Sequence, residues 1–420
     1  MRLYPAVLPL LFLTLPLPSG ANPLDEVLPG IIDFRHELHA NPELSNREVQ
    51  TGKRIAKRLR RLGLDVQTGV AHTGVVATLR GGLPGPVVAV RADIDALPVT
   101  EQTDFAFRST ATTEFNGKKV GVAHACGHDI HMSVAMGTAE VLAAMRDELP
   151  GTVRFIFQPA EEGVPVGETG GAPLMIEEGV LRNPAPEAIY AIHSWPDYAV
   201  GQVDVTSGPA MASSDRILID LHGKQSHGAW PHLGVDPIVL AAQVILGLQT
   251  IPSRSIDARE PAVVTVGIVR GGERFNIIPD TVHMEGTVRA FSDDVQDIVE
   301  RRIGEILDGI TTAAGASYDY TYERANPFVN NDPALAARAR VVLQQTLGTE
   351  NVLDGPPVMV AEDFAWFARE IPGFYFRLGV VAPGTESGSL HTPDFRADDS
   401  AIEPGIRAMT ALVLDHLRNN

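Results

Sequence analysis

The chain has 420 residues, 44% of them hydrophobic and 20% charged, with a formal net charge of −18. That length divides naturally into two domains with substantial cores, and the composition is that of a globular protein, not a disordered or membrane-embedded one. The excess of 52 acidic over 34 basic residues argues against nucleic acid or an anionic membrane as partner, since both need a basic surface.

The first segment, "MRLYPAVLPLLFLTLPLPSGA", carries Arg2 and then an apolar stretch over residues 6–17. The stretch is too short and too rich in proline to span a bilayer comfortably. Ser19 and Ala21 offer small residues at a cleavage site, so residues 1–21 read as a signal peptide. The expectation is a periplasmic or secreted chain starting near Asn22, with no membrane part in its mature form. An uncleaved anchor is the rival reading. Export makes the single cysteine, Cys126, notable, because oxidising compartments favour paired cysteines and this one has no partner.

Residues 31–64 have a helical pattern interrupted around Pro42. Residues 85–98, "GPVVAVRADIDALP", read as a buried strand ending in a polar loop, and "DIHMSVAMGTAEVLAAM" as a helix. "GTVRFIFQPAEEG" and "EAIYAIHSWP" are two further apolar strands, each ending in polar residues and proline. Strands alternating with helices predict an α/β domain with a mostly parallel sheet covered on both faces.

After Ala212 the pattern repeats on a smaller scale. "RILIDLHGK" is a predicted strand, 236–249 a helix, "AVVTVGIVRGG" and "TVHMEGTVRAF" alternating strands, 293–312 an amphipathic helix and "SYDYTYE" a last strand. This β-α-β-β-α-β order predicts a ferredoxin-like α+β unit of about 110 residues inserted in the larger domain. The expected division is 22–211 and 325–420 for the larger domain and 212–324 for the smaller.

The chemistry concentrates in "HACGHDIHMS". Residues i and i+2 of an extended segment point to one side, so Cys126 and His128 are expected to converge just before a helix. A thiolate and an imidazole suit zinc or a similar divalent ion. Glu161 and Glu162 follow one predicted strand, His193 follows the next, and His391 lies in the glycine-rich loop "GSLHTPDF". Ligands of open α/β sheets collect beyond the carboxyl ends of strands, where several of these residues fall.

"RHELHANPELSNRE", "RADIDALP", "HACGHDIHMS", "QPAEEG", "AIHSWP" and "LHTPDF" together resemble the successive motifs of the hippurate hydrolase and indole-acetyl-amino-acid hydrolase branch of the co-catalytic metallopeptidases. Carboxypeptidase G and the aminoacylases are more distant relatives. The resemblance runs from about Asp25 to the C-terminus. It implies two divalent metal ions per chain in the larger domain and a smaller domain acting as lid and dimerisation surface. It also implies hydrolysis of the amide bond of N-acyl or N-aminoacyl amino acids; a dipeptidase or carboxypeptidase is the enzyme alternative, and an exported metal- or amino-acid-binding protein the non-enzymatic one.

By the same resemblance Cys126 bridges the metals, with His128 and His193 completing one site and Glu162 with His391 the other. Zinc, manganese, cobalt and nickel all suit such a set. Asp93 would steady a ligand from behind, with a core salt bridge to Arg91 as the alternative. Neighbours on an extended chain point apart, so Glu161 and Glu162 are not both expected to bind metal. The resemblance makes Glu161 the general base, taking a proton from the attacking water and passing it to the leaving amine. His227, in "QSHGAWPH", would reach the partner subunit's site and stabilise the oxyanion; Trp230 stands where a smaller residue is expected. Asn276 and Arg289 would form the clamp for the substrate carboxylate, unless Arg289 pairs with Glu285 or Asp280.

Overall fold

The computed structural model describes residues 23–419, so the expected leader lies outside the described residues. The long apolar runs become the central strands of an eight-stranded sheet. Its order is Asp65–Val70, Gly74–Arg80, Pro150–Gln158, Leu83–Asp93, Ala188–Ala199, Gly373–Val381, Val203–Val205 and Val352–Asp354. The four central strands run parallel. They are buried on both faces, which is why their sequences are continuously apolar instead of alternating.

Val88, Val90, Phe155, Tyr190 and Phe376 face one side, against the helices Pro23–Ala40, His128–Ala144 and Ile402–Asn419. Ala89, Ile156, Ile189 and Tyr375 face the other, against Gly171–Glu177 and Phe364–Glu370. This is the expected two-sided α/β layering. One boundary differs: the first helix begins at Pro23, well before residue 31, and contains Pro29. Pro29 lies beyond the first turn, so it costs the helix the bond its amide would make to the Asp25 carbonyl, and the helix runs through it nonetheless. The second helix, Val49–Arg61, follows the expected break around Pro42.

The smaller unit is a four-stranded antiparallel sheet in the order Ala262–Gly271, Thr281–Ala290, Ser214–His222 and Ser317–Asn326. The helices Pro237–Leu248 and Asp293–Ala314 cover one face. Ile217, Ile219 and Leu221 point into that core, while Arg216, Asp220 and His222 point away, the alternation of a half-buried strand. Its helices carry strong stop signals. Asp236 and Ser292 cap the two N-termini through side-chain oxygens, and Gly315 ends the second helix at φ 68°. This core is separate from those of the larger domain.

Candidate metal centre

The carboxyl ends of the parallel strands bring the predicted ligands together. Cys126 Sγ lies 3.4 Å from His193 Nε2 and 3.3 Å from His391 Nε2. His391 Nε2 stands 3.2 Å from Glu162 Oε1, and His128 Nε2 stands 3.7 Å from that same oxygen. Two ligand groups share Cys126, one with His128 and His193 and one with Glu162 and His391, and Glu161 groups with His128 and Glu162 in another, the ligand atoms of each lying within 4.8 Å of one another. His128 Nε2 and Glu162 Oε1 are buried with no hydrogen-bond partner among the described residues. Such orphaned atoms are costly unless something electrophilic sits between them, so this donor set fits a pair of divalent cations.

The reasons for this convergence differ from those expected. Ala125 and Cys126 form a turn, and His128 is the first residue of the helix, so strand alternation does not align them. Gly127 instead turns the chain at φ 82°. A Cβ there would stand 2.2 Å from Ser194 Oγ, so only glycine fits. Glu161 and Glu162 are likewise in a turn, after Ala160 at φ 54°. Their carboxylates therefore do not point apart: Glu161 Oε2 reaches to 3.8 Å of His128 Nε2, close to the Glu162 distance. His193 lies inside its strand, not after it. Its ring is buried and packs against those of His131, Trp195 and Tyr375.

Asp93 forms the buried salt bridge to Arg91 that was the alternative reading and does not hydrogen-bond any of the expected metal ligands. It accepts from Arg91 Nη1 at 2.8 Å and bonds His131 Nδ1 at 2.6 Å, while His128 Nδ1 stays 3.7 Å away. The direct partner of His128 Nδ1 is the Asp95 carbonyl at 2.9 Å, which leaves Nε2 to face the cluster. His193 Nδ1 bonds the Ser194 carbonyl at 2.7 Å, with the same effect. His131 carried a signal, three residues on from His128 along one helix, whereas Asp95 lies past the end of the strand that carries Asp93. Glu362, bonded to Arg91 and Tyr375 and grouped with Asp93 and Glu161, carried none.

The electrostatics suit a cation. Burial, with Glu162 and Glu161 adding to it, holds the Cys126 thiol well above its ordinary range. Burial and His131 hold the His193 ring well below its own, so that it is neutral and ready to ligate. A divalent charge at the cluster is what would release the thiol proton. Burial, Glu362 and Glu162 also push the Glu161 carboxyl well up.

The smaller domain's candidates stand apart from this cluster. His227 is exposed on a two-residue strand paired with Ile277–Ile278, and its Nδ1 accepts the Ala229 amide at 3.0 Å. Trp230 lies 5.2 Å from its ring, centroid to centroid, and is itself exposed. The same ribbon holds Asn276, whose carbonyl accepts the Gly228 amide at 2.9 Å. No hydrogen bond among the described residues joins Asn276 to Arg289. Arg289 is half-buried and makes no ion pair or hydrogen bond among the described residues. Its rival pairing is not formed with Glu285, which is held by Arg216 and His283.

Residues 89–415 match the family described as Peptidase family M20/M25/M40. Among similar proteins, an N-acetylcysteine deacetylase of Bacillus subtilis is 40% identical over 89% of this chain and 93% of its own length. Thermostable carboxypeptidase 2 of Saccharolobus solfataricus is 36% identical over 94% and 97%. The crystal structure of a Bacillus subtilis protein described as a dinuclear metal binding peptidase from the M20 family covers 94% of this chain and 100% of that one, with a TM-score of 0.80 and 36% identity. The chain belongs to peptidase family M20/M25/M40, a metal-dependent hydrolase of amide or peptide bonds with a larger α/β domain and a smaller separate one.

Proposed function

We propose that the protein releases free amino acids from N-acyl or N-aminoacyl amino acids, using two divalent ions held as one pair through Cys126. The observation that carries this reading is the shared Cys126, standing between His193 and His391, beside two carboxylates of which the pair of ligand groups uses only one. The ions would supply an acidified water and a polarised carbonyl. Glu161, outside the two groups that share Cys126, acts as the general base. Asn276 and Arg289 receive the substrate carboxylate, and His227 serves the partner subunit's site across a homodimer. The kinship with the N-acetylcysteine deacetylase favours an N-acyl amino acid. The carboxypeptidase relative keeps C-terminal peptide bonds as the second reading.

The decisive assay measures amino acid release from N-acyl amino acids and from dipeptides, with metal analysis before and after chelation. Two ions per chain, and activity lost with them and restored on return, are the expected result. Activity that survives full removal of metal would end the proposal. Amide-capped analogues in the same assay should react far more slowly, and equal rates would remove Arg289 as a carboxylate reader. Export is supported by the character of residues 1–21. N-terminal sequencing of the natural product should find a start near Asn22, and a start at Met1 would contradict cleavage.

A further inference from the structure

The sequence "ELSNRE" has no part in the ligand set, yet it grips the loop that carries Glu161 and Glu162. Four consecutive residues take hold of it. Ser45 Oγ donates to Asp95 Oδ2 at 2.7 Å, and that oxygen accepts the Glu162 amide at 3.0 Å. Asn46 Nδ2 donates to the Thr169 carbonyl at 3.0 Å. Arg47 pairs with Glu168 at the surface, where an ion pair adds little. Glu48 is fully buried, and its Oε1 accepts the Ala160 amide at 2.9 Å while Oε2 accepts from Thr73 Oγ1 at 2.6 Å.

Ala160 is the residue that needs holding. At φ 54° it occupies the left-handed region, which residues bearing a Cβ avoid. Released, its backbone would relax toward negative φ and rotate the next peptide, and the next side chain is Glu161. A carboxylate fixed at both oxygens has no freedom to follow such a change.

We propose that Glu48 is a positioning residue for the general base, setting the place of the Glu161 carboxylate by holding Ala160 in its left-handed conformation. The inference rests on the reading of Glu161 as base. It requires an acceptor of the right length at position 48, not a charge. Burial and the nearby Asp95 carboxylate already push the Glu48 carboxyl up to about 7.

The test compares kcat, KM and metal content across substitutions. Glu48→Ala should lower kcat by about 100-fold, the scale of a small misplacement of a reacting group, with KM and bound metal unchanged. Glu48→Gln, equal in length and able to accept the same amide, should recover most of the loss. Glu48→Asp keeps the charge but is too short, and should fall below Glu48→Gln. In a Glu161→Gln background, Glu48→Ala should cost no further turnover, because it acts through the group already removed. Wild-type kcat in Glu48→Ala, or a loss that only tracks lost metal or folded protein, would overturn the proposal. So would Glu48→Asp outperforming Glu48→Gln, a comparison that stands even where Glu48→Ala does not fold. If Glu161→Gln alone keeps its turnover, the base reading has failed instead, and that outcome is seen independently of position 48.

Discussion

Glu161→Gln should leave the protein folded and metal-loaded while lowering turnover by about 10²–10⁴-fold, the usual contribution of a general base. Glu161 stands at the edge of the cluster, 3.8 Å from His128 Nε2, and belongs to neither of the two groups that share Cys126. Glutamine matches glutamate in size and can accept the same hydrogen bonds, but it cannot take a proton from water and deliver it to a leaving amine. Burial and the carboxylates of Glu362 and Glu162 raise the affinity of Glu161 for a proton. That is the property a proton carrier needs. Steady-state kinetics with metal analysis on the same sample decides the matter. Turnover near normal with both ions present would remove Glu161 from the chemistry, and loss of metal would make it a ligand.

The parallel strands were legible because both of their faces are buried, so their apolar runs are unbroken; the smaller domain was legible for the opposite reason, one wet face and one dry one. The ligands stood out by residue type and by their place at strand ends. The path by which they meet was not legible. Gly127 and Ala160 turn the chain through left-handed conformations, and an alanine announces no such turn. Spacing rules for extended chain therefore predicted the meeting of Cys126 and His128 correctly for a reason that does not operate, and predicted a divergence of Glu161 from Glu162 that does not occur. The supporting network was hidden for a different cause. Arg91 meets Glu362 across 271 residues of sequence, and only the fold brings such partners together. Asp95, two residues beyond Asp93, lies past the end of the strand, where alternation gives its side chain no direction.

Mixing inactive His227→Ala chains with inactive Glu161→Gln chains, then dissociating and reassociating them, should restore activity. The single chain motivates this expectation. His227 sits on an exposed ribbon of the smaller domain, and among the described residues nothing ties it to its own metal cluster. Trp230 packs beside its ring, and the smaller domain also exposes Leu246, Val269 and Phe275, the last of them 97% exposed. If His227 crosses an interface between chains, a heterodimer of the two variants contains one complete site: the base of the His227→Ala chain, served by the histidine of the Glu161→Gln chain. Random pairing of equal amounts makes about half the dimers mixed, each with one working site of two, so about a quarter of wild-type activity is expected. Action within one chain predicts none, since no chain then holds both residues. An oxyanion donor contributes about 10²–10³-fold, so the recovered signal should stand well above either parent variant. Mixed dimers shown to form yet remaining inactive would place His227 outside the partner's chemistry.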